Sequence, residues 1–510
     1  MKIVTAAEMR EIDRIAIQER GINGSVLMDR AGKALTREIM EHFKPSSVCI
    51  VTGRGNNAGD GFVAAHYLHE AGVKVHCACL CGMEELTGDA LTHYVKMDSE
   101  IKVTDIKSAS QLSGIFQEQQ VIVDALLGTG AKGAPRGIFG EAIDEINRAR
   151  KTVVAADIPS GLPADGGDPE GACVLADLTV CMGLPKMGMM IYPGIEACGR
   201  LVIDSIGFPD DLMQDSSFTD NLIDPGIVRD VLPVRQPNSH KGTYGRVMVI
   251  AGSRGMTGAA IFCSRGAMRA GAGLVYVAVK QSLNPIMEIS LPQALTIPMP
   301  GEQSGALDAA CFDLLKGASK TMDVIALGPG MSQAPGTQEL ILRLLEVEKP
   351  LVLDADGLNA LQGDMSPLKR RKAPTVVTPH PGELSRMIGR PVDEIQRHRL
   401  EVARQFAQEH QVHMVLKGER TVVADPNGEV FINPTGNTAL AQGGSGDVLT
   451  GMIAGLLAQN CTEREASLIA VYIHGLAAEL AAKVQGERGA VVEDILAHIG
   501  PAFLRVEKGE

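Results

Sequence analysis

"QGGSGDVLTGMIAGLLAQ", residues 442–459, sets three glycines and a serine ahead of Asp447 and then runs on with helical apolar spacing. The pattern predicts a helix whose first turn carries one carboxylate. An aspartate there can cap the helix by accepting a first-turn N–H, worth about 1 kcal/mol. A cap alone does not call for Gly443, Gly444 and Gly446 together. Glycines let backbone approach a ligand closely and reach positive φ without steric cost. Backbone N–H groups at a helix start favour anions. The stretch therefore reads as an anion site with a carboxylate beside it.

On the N-terminal side of this stretch, strand-like β-branched runs alternate with helical segments, the pattern of parallel sheets with crossover helices. The first half carries "SVCIVTG" (47–53), "VKVHCACL" (73–80), "QVIVDAL" (120–126), "TVVAADI" (152–158) and "ADLTVCM" (176–182). Residues 209–240 are polar, Pro-bearing and aperiodic, and predict a linker. Alternation restarts with "GRVMVIAGS" (245–253), "LVYVAVK" (274–280), "DVIALGPG" (323–330), "PLVLDADG" (350–357), "TVVTPHPGE" (375–383) and "HMVLKG" (413–418), and helices follow Cys461. We expect two α/β domains, over residues 1–215 and 225–506.

Composition narrows the partners. The 510 residues carry a net charge of −13, no Trp and only 3% aromatics, with no Lys/Arg stripe, which argues against nucleic acid. The acidic balance means that any phosphate site must be built locally. "MKIVTAAEMREIDRIAIQER" has charges where a signal peptide needs an apolar core, and no run suits a membrane span. The reading is a soluble cytoplasmic protein, as a homo-oligomer. Ten Cys without a CxxC pair fit free thiols. "CACLC" (77–81) fits a buried strand face better than a metal site.

In the first half, "VTGRGNNAGDGFVAAHYL" reads as strand, glycine loop and helix, with Asn56, Asn57 and Asp60 beside the turn. In open parallel sheets, ligands sit beyond the carboxyl ends of strands. "VDALLGTGAKGAPRG" contains G-x-G-x-x-G at 128–133, but Pro135 follows at once, so the dinucleotide fingerprint is imperfect. A binding loop presenting Lys132 and Arg136 to an anion fits better. Asp124, Asp157 and Ser160 follow strand ends and offer hard oxygen donors to an alkali or alkaline-earth cation. Asp157 and Lys132 suit acid/base work if they meet.

"GxGNNAGDG", "DALLGTGxxGxxRG" and "DIPSGL" in this order resemble the NAD(P)HX epimerases, Rossmann-like domains that interconvert the R and S forms of NAD(P)H hydrated at C6 of the nicotinamide ring. The resemblance implies that Asn56, Asn57, Ala58, Gly59 and Asp60, with Gly128, Thr129, Gly130, Ala131, Lys132, Gly133 and Ala134, contact the damaged nucleotide. It implies that Asp157 also touches it, with Lys132 as its proton-transfer partner. Asn57, Asp124 and Ser160 would hold a potassium ion.

In the second half, "GGSGD", "KGERT" (417–421), "LDADGLN" (353–359) and "HPGE" (380–383) resemble the ribokinase-like superfamily. With "SHKGTYGRVMVIAGS" (239–253) and "ALGPGM" (326–331) they resemble its ADP-dependent NAD(P)HX dehydratases. The physics agrees: phosphoryl transfer is mostly positioning and charge neutralisation, amides at Gly444 to Gly446 suit the moving phosphoryl group, and Asp447 suits the proton of an attacking hydroxyl. The resemblance implies that Lys417, Gly418, Glu419, Arg420 and Thr421 hold ADP together with Asn437, Thr438, Ala439, Leu440, Ala441, Gln442, Gly443, Gly444, Ser445 and Gly446. Ala259, Gly330, His380, Pro381, Gly382, Glu383, Leu384, Ser385, Arg386 and Asp447 would line the pocket of the hydrate. Mg²⁺ is expected with the diphosphate. The alternative is a ribokinase-type kinase of a small-molecule hydroxyl, with a non-catalytic nucleotide-binding N-terminal domain.

Overall fold

The computed structural model describes residues 1–301 and 305–509. The chain divides into two compact units, Lys2–Phe218 in one and Met1 with Thr219–Glu510 in the other.

The first unit is built on strands β1 (Ser47–Thr52), β2 (Lys74–Cys79), β3 (Lys102–Asp105), β4 (Val121–Ala125), β5 (Thr152–Ala156), β6 (Leu178–Met182) and β7 (Arg200–Asp204). They lie in the order β3-β2-β1-β4-β5-β6-β7, and every pairing is parallel. Alternate residues of each strand feed cores on opposite faces: Ile50, Val123 and Val154 pack on one side, Cys49, Ile122 and Val153 on the other. Burial on both faces explains why β1 and β4 read as near-continuous apolar runs, with Asp124 the one charge inside β4. The strands β3 and β7 escape that reading because they are edges. "KVTD" and "RLVID" are charged at their ends and partly exposed, as edge strands must be. Chain order reverses between β1 and β4, so the loops after them open a crevice. Helix α1 (Asn56–Glu70) follows β1, and α2 (Ile138–Arg148) follows the loop after β4.

In the second unit the strands are β8 (Asp220–Leu222), β9 (Arg246–Ile250), β10 (Leu274–Lys280), β11 (Leu295–Met299), β12 (Val324–Leu327), β13 (Leu351–Leu353), β14 (Thr375–Val377), β15 (His413–Leu416), β16 (Val422–Ala424) and β17 (Val430–Ile432). Their order is β8-β17-β16-β15-β14-β13-β12-β9-β10-β11. The run from β15 to β11 is parallel, whereas β16 is antiparallel to both of its neighbours. The stretch expected as a linker contains β8, paired with β17, and a short helix over Pro225–Asp230. A three-residue strand is too short to announce itself by alternation. Several strands end earlier than their sequence runs suggest: β12 stops where Gly328 takes φ +124°, and β14 stops before Pro379 and Pro381.

Four helices matter for the site: α3 (Thr257–Arg269), α4 (Pro381–Ile388), α5 (Ser445–Leu457) and α6 (Glu463–Gln485). The helices α3 and α5 meet backbone to backbone. A Cβ on Gly451 would lie 1.8 Å from the Cys263 carbonyl oxygen, and one on Gly266 would lie 2.3 Å from that of Val448. Among the described residues, α6 alone is long and apolar enough to cross a membrane, but 72% of its apolar window is buried in the protein core.

Candidate active sites

The crevice between β1 and β4 holds a cavity of about 990 Å³, the size of a nucleotide-scale pocket. Its walls include Asn56, Asn57 and Asp60 from α1, the whole loop Gly128–Ala134, and Asp157 after β5. Helix α1 begins at Asn56, so Asn56, Asn57 and Asp60 ride on its first two turns rather than on a loop. Ala58 and Gly59 face the other way: Ala58 is buried, and a Cβ on Gly59 would lie 2.3 Å from Met28 Sδ. Arg10, Arg54, Lys132 and Arg136 bring cations to the cavity walls.

Asp157 sits at φ +61°, a strained conformation for a residue with a side chain. Its Oδ1 accepts from the Met182 N–H at 3.1 Å and from the ammonium of Lys186. Lys186 is 1% exposed and also donates to the Met182 carbonyl oxygen at 2.9 Å. Burial works against its charge, but Asp157 and then Cys181 outweigh that and hold the ammonium above the ordinary lysine value. Lys132, expected as the partner of Asp157, is exposed on the loop, and the described ion pair of Asp157 is with Lys186. Three more carboxyls, Asp13, Asp60 and Asp89, share the cavity. Burial, with Asp157 adding and Lys186 opposing, pushes Asp13 up to about 6. Burial and then Asp157 hold Asp60 well above the usual carboxylate range.

Beneath this floor the three expected cation ligands come together. Ser160 Oγ donates to Asp124 Oδ1 at 2.6 Å, and Asp124 Oδ2 accepts from the Ser160 N–H at 2.8 Å. Asn57 Nδ2 donates to the Leu127 carbonyl oxygen at 3.0 Å, and Ser160 Oγ accepts from the Leu127 N–H at 2.9 Å. Asn57 Oδ1 is buried without a hydrogen-bond partner. Asp124 is fully buried, which pushes its carboxyl up to about 6 against the hydrogen bonds from Ser160. The donor set is all oxygen and fits an alkali cation. Among the described residues no group of three or more His, Cys, Asp or Glu is placed to hold a metal ion.

In the second unit, chain order reverses between β9 and β12, and the loops after them are tied together. The Gly252 N–H donates to the Pro329 carbonyl oxygen at 2.8 Å, and Ser253 Oγ to that of Gly330 at 2.9 Å. Gly330 is pressed against Ala259, leaving 2.9 Å for an added Cβ. The next three parallel strands each end in a polar residue of the site: Asp354 after β13, His380 after β14 and Lys417 after β15. Lys417 Nζ donates to Asp354 Oδ1 at 2.6 Å and lies 3.7 Å from Glu383 Oε2. Thr450 Oγ1, from α5, donates to Asp354 Oδ2 at 2.7 Å. His380 caps α4: its Nδ1 accepts from the Gly382 and Glu383 N–H groups, and the His380 N–H donates to Glu383 Oε2.

Asp447 stands in the first turn of α5, whose N-cap is Gly444 at φ +97°. A Cβ on Gly444 would lie 2.6 Å from Phe262, and one on Gly446 would lie 3.4 Å from Lys417 Nζ. The glycine turn and the lysine are thus adjacent. Burial, then Asp354, push the Asp447 carboxyl up to about 6, with Lys417 pulling the other way. Burial opposes the Lys417 charge, and Asp354 and Glu383 outweigh it.

The remaining expected residues divide. Arg386 donates to Asn359 Oδ1 at 3.0 Å beside α4, while Leu384 is packed in the core. Asn437 caps a short turn over Thr438–Leu440, Gln442 donates to the Ala490 carbonyl oxygen at 3.1 Å, and Ala439 is buried. Gly418 takes φ +140° against the Arg399 guanidinium, and Thr421 Oγ1 donates to the Gly418 carbonyl oxygen at 3.0 Å. Sequence alone singles out neither Asp13 nor Lys186. Asp13 is one charge among several in "EMREIDR" (8–14), Lys186 is a lone charge in "GLPKMGMM" (183–190), and only the parallel register of β5 with β6 brings Lys186 to Asp157.

The family model for NAD(P)H-hydrate dehydratase matches residues 247–500, and the model for the YjeF-related protein N-terminus matches residues 24–188. The chain is 41% identical over 505 residues to the bifunctional NAD(P)H-hydrate repair enzyme Nnr of Moorella thermoacetica, covering 97% of this chain and 95% of that protein. It is similar to the crystal structure of the ADP/ATP-dependent NAD(P)H-hydrate dehydratase of Bacillus subtilis co-crystallised with ATP/Mg²⁺ (TM-score 0.50, 37% identity, 56% of this chain and 99% of that one). A ribokinase-like superfamily protein from Enterococcus faecalis also matches (TM-score 0.50, 26% identity, 56% and 96%). A crevice lined by the N-terminal motifs, a glycine turn beside Lys417 and Asp447, and likeness along almost the whole length lead to one conclusion: the chain belongs to the bifunctional NAD(P)H-hydrate repair enzymes, with an epimerase domain followed by a ribokinase-like dehydratase domain.

Proposed function

We propose that the first unit interconverts the R and S epimers of NAD(P)HX in the cavity beyond β1 and β4, and that the second consumes the S epimer with ADP as phosphoryl donor. The observation that carries the second step is Asp447 beside a positive-φ glycine turn that packs against Lys417. As the C6 hydroxyl oxygen bonds to the β-phosphorus of ADP, its proton passes to Asp447 and the bond to AMP breaks. The first-turn N–H groups of α5 and the Lys417 ammonium take up the charge on the moving group. Phosphate then leaves C6 with its bonding electrons and carries off a proton from the neighbouring ring carbon, whose C–H bonding pair forms the new C=C bond of the restored dihydropyridine. Mg²⁺ accompanies the diphosphate and screens its charge.

In the first unit Asp157 transfers a proton at the C6 centre, and the cations Arg10, Arg54, Lys132 and Arg136 suit the substrate phosphates. A potassium ion fits among Asn57, Asp124 and Ser160, supported by the orphaned buried oxygen of Asn57 and the fully buried Asp124 carboxyl beside it. It would supply the missing positive charge there and brace the start of α1 against the loop after β4. Incubating the protein with separated R- and S-NADHX, with ADP and then with ATP, and following recovery of the dihydronicotinamide absorbance tests both steps. Recovery from S alone sinks the epimerase reading, and recovery with ATP but not ADP sinks the choice of donor.

A further inference from the structure

The cavity of the first unit holds more chemistry than Asp157 can account for. Epimerisation at C6 through loss and return of water needs two proton transfers on opposite faces of the ring. One group must give a proton to the departing hydroxyl, and another must take one from the incoming water. Asp157 is already committed to Lys186, whose Nζ has the Asp157 carboxylate and the Met182 carbonyl oxygen as partners. Lys132 stands on the exposed loop. Asp13 is different. It lines the same cavity, half-buried, near the end of the helix Ala6–Arg14, and the next turn, Ile15–Glu19, is a π-helix. Such turns recur where a helix must aim a side chain at a functional site. The residues Met9, Arg10 and Ile17 of the same segment also line the cavity, so the segment is one of its walls.

We propose that Asp13 is the second proton-transfer residue of the epimerase centre, paired with Asp157, and that Lys186 is the residue that positions Asp157. This rests on the epimerase reading above and deepens it. In the R-to-S direction the C6–O bond breaks with its electron pair on oxygen, the proton of Asp13 goes to that oxygen, and water departs. The ring nitrogen's lone pair forms the C=N bond of the cation left behind. A second water adds from the other face, its lone pair makes the new C6–O bond, and its proton goes to Asp157. The enzyme now holds its proton on the opposite acid, the form suited to the reverse reaction, and exchange with solvent resets it. A carboxyl pushed up to about 6 can cycle in this way near neutrality. Asp60 lines the same cavity, and burial and then Asp157 hold its carboxyl well above the usual carboxylate range.

The test compares full-length wild type with Asp13→Asn, Asp13→Glu and Lys186→Met, following conversion of R-NADHX to S-NADHX by chromatography from pH 5 to 9. Wild type that fails to convert R to S defeats the epimerase reading itself. With wild type active, we expect Asp13→Asn to lower kcat about 10²–10⁴-fold with KM nearly unchanged, and to lose the fall in rate seen as pH rises through the acid's titration. Asp13→Glu should keep that fall, displaced, and recover part of the rate. Lys186→Met should lower kcat while the limb owed to Asp13 remains. Turnover of Asp13→Asn within threefold of wild type, with the limb intact, overturns the proposal. Should the Asn variant melt early, Asp13→Glu decides: an undisplaced limb also overturns it.

Discussion

Lys417 Nζ bridges Asp354 Oδ1 at 2.6 Å and Glu383 Oε2 at 3.7 Å, so one ammonium ties the ends of β13 and β15 to the first turn of α4. Asp354 is 1% exposed, and removing its counter-ion leaves a buried carboxylate with Thr450 as its side-chain donor. Lys417→Met should destabilise the second unit by about 3–5 kcal/mol and abolish dehydration. Denaturant unfolding followed alongside dehydratase rate checks this; unchanged stability would show that the bridge is electrostatically idle.

Asp447→Asn should lower dehydration about 10²–10⁴-fold while R-to-S conversion proceeds at the wild-type rate. Asp157→Ala should do the opposite, since the two acids serve different units. Measuring both activities on each variant gives a two-by-two pattern, and equal losses in one variant would contradict the assignment.

The Asp447 carboxyl, pushed up to about 6 by burial and by Asp354, must be ionised to accept a proton. Dehydration should therefore rise with pH through about 6 and flatten above it, falling roughly tenfold for each unit below. A flat profile from pH 5 to 8 would remove Asp447 as the base.

If potassium binds among Asn57, Asp124 and Ser160, it must stabilise the first unit by mass action, by about 2.7 kcal/mol at a hundredfold excess over Kd. Thermal melts in potassium should exceed those in lithium, and Asn57→Ala, which removes the orphaned oxygen, should erase the difference. Equal melts in both salts for wild type would count against the site.

Gly444→Ala puts a Cβ 2.6 Å from Phe262 at φ +97°. That combination of clash and strain should cost about 1–3 kcal/mol and weaken nucleotide binding more than a substitution at Gly443, where an added Cβ meets nothing within 4 Å.

How much of this was legible in the sequence follows from burial and from chain distance. The strands β1, β4 and β5, covered on both faces, are largely apolar runs, and Asn57 and Asp157 follow the ends of β1 and β5 within a few residues, while Asp124, expected just past a strand end, is the fourth residue of β4 itself. The edges β3 and β7 lack that signal, and β8 is too short to show one. The hairpin of β16 and β17 did carry a signal, the Asn427-Gly428 turn with Gly428 at φ +96°. Lys186 and Asp13 are invisible for another reason. They reach the Asp157 neighbourhood through sheet register and helix placement, which no local pattern records. The expected linker was polar for the ordinary reason that short surface elements are polar, and it is folded nonetheless.

The glycines Gly266 and Gly451 leave no room for side chains between α3 and α5. The two helices are therefore a welded strut rather than a hinge, and Ala259 on one and Asp447 on the other keep a fixed gauge. Any opening that admits a bulky dinucleotide must swing on different bearings.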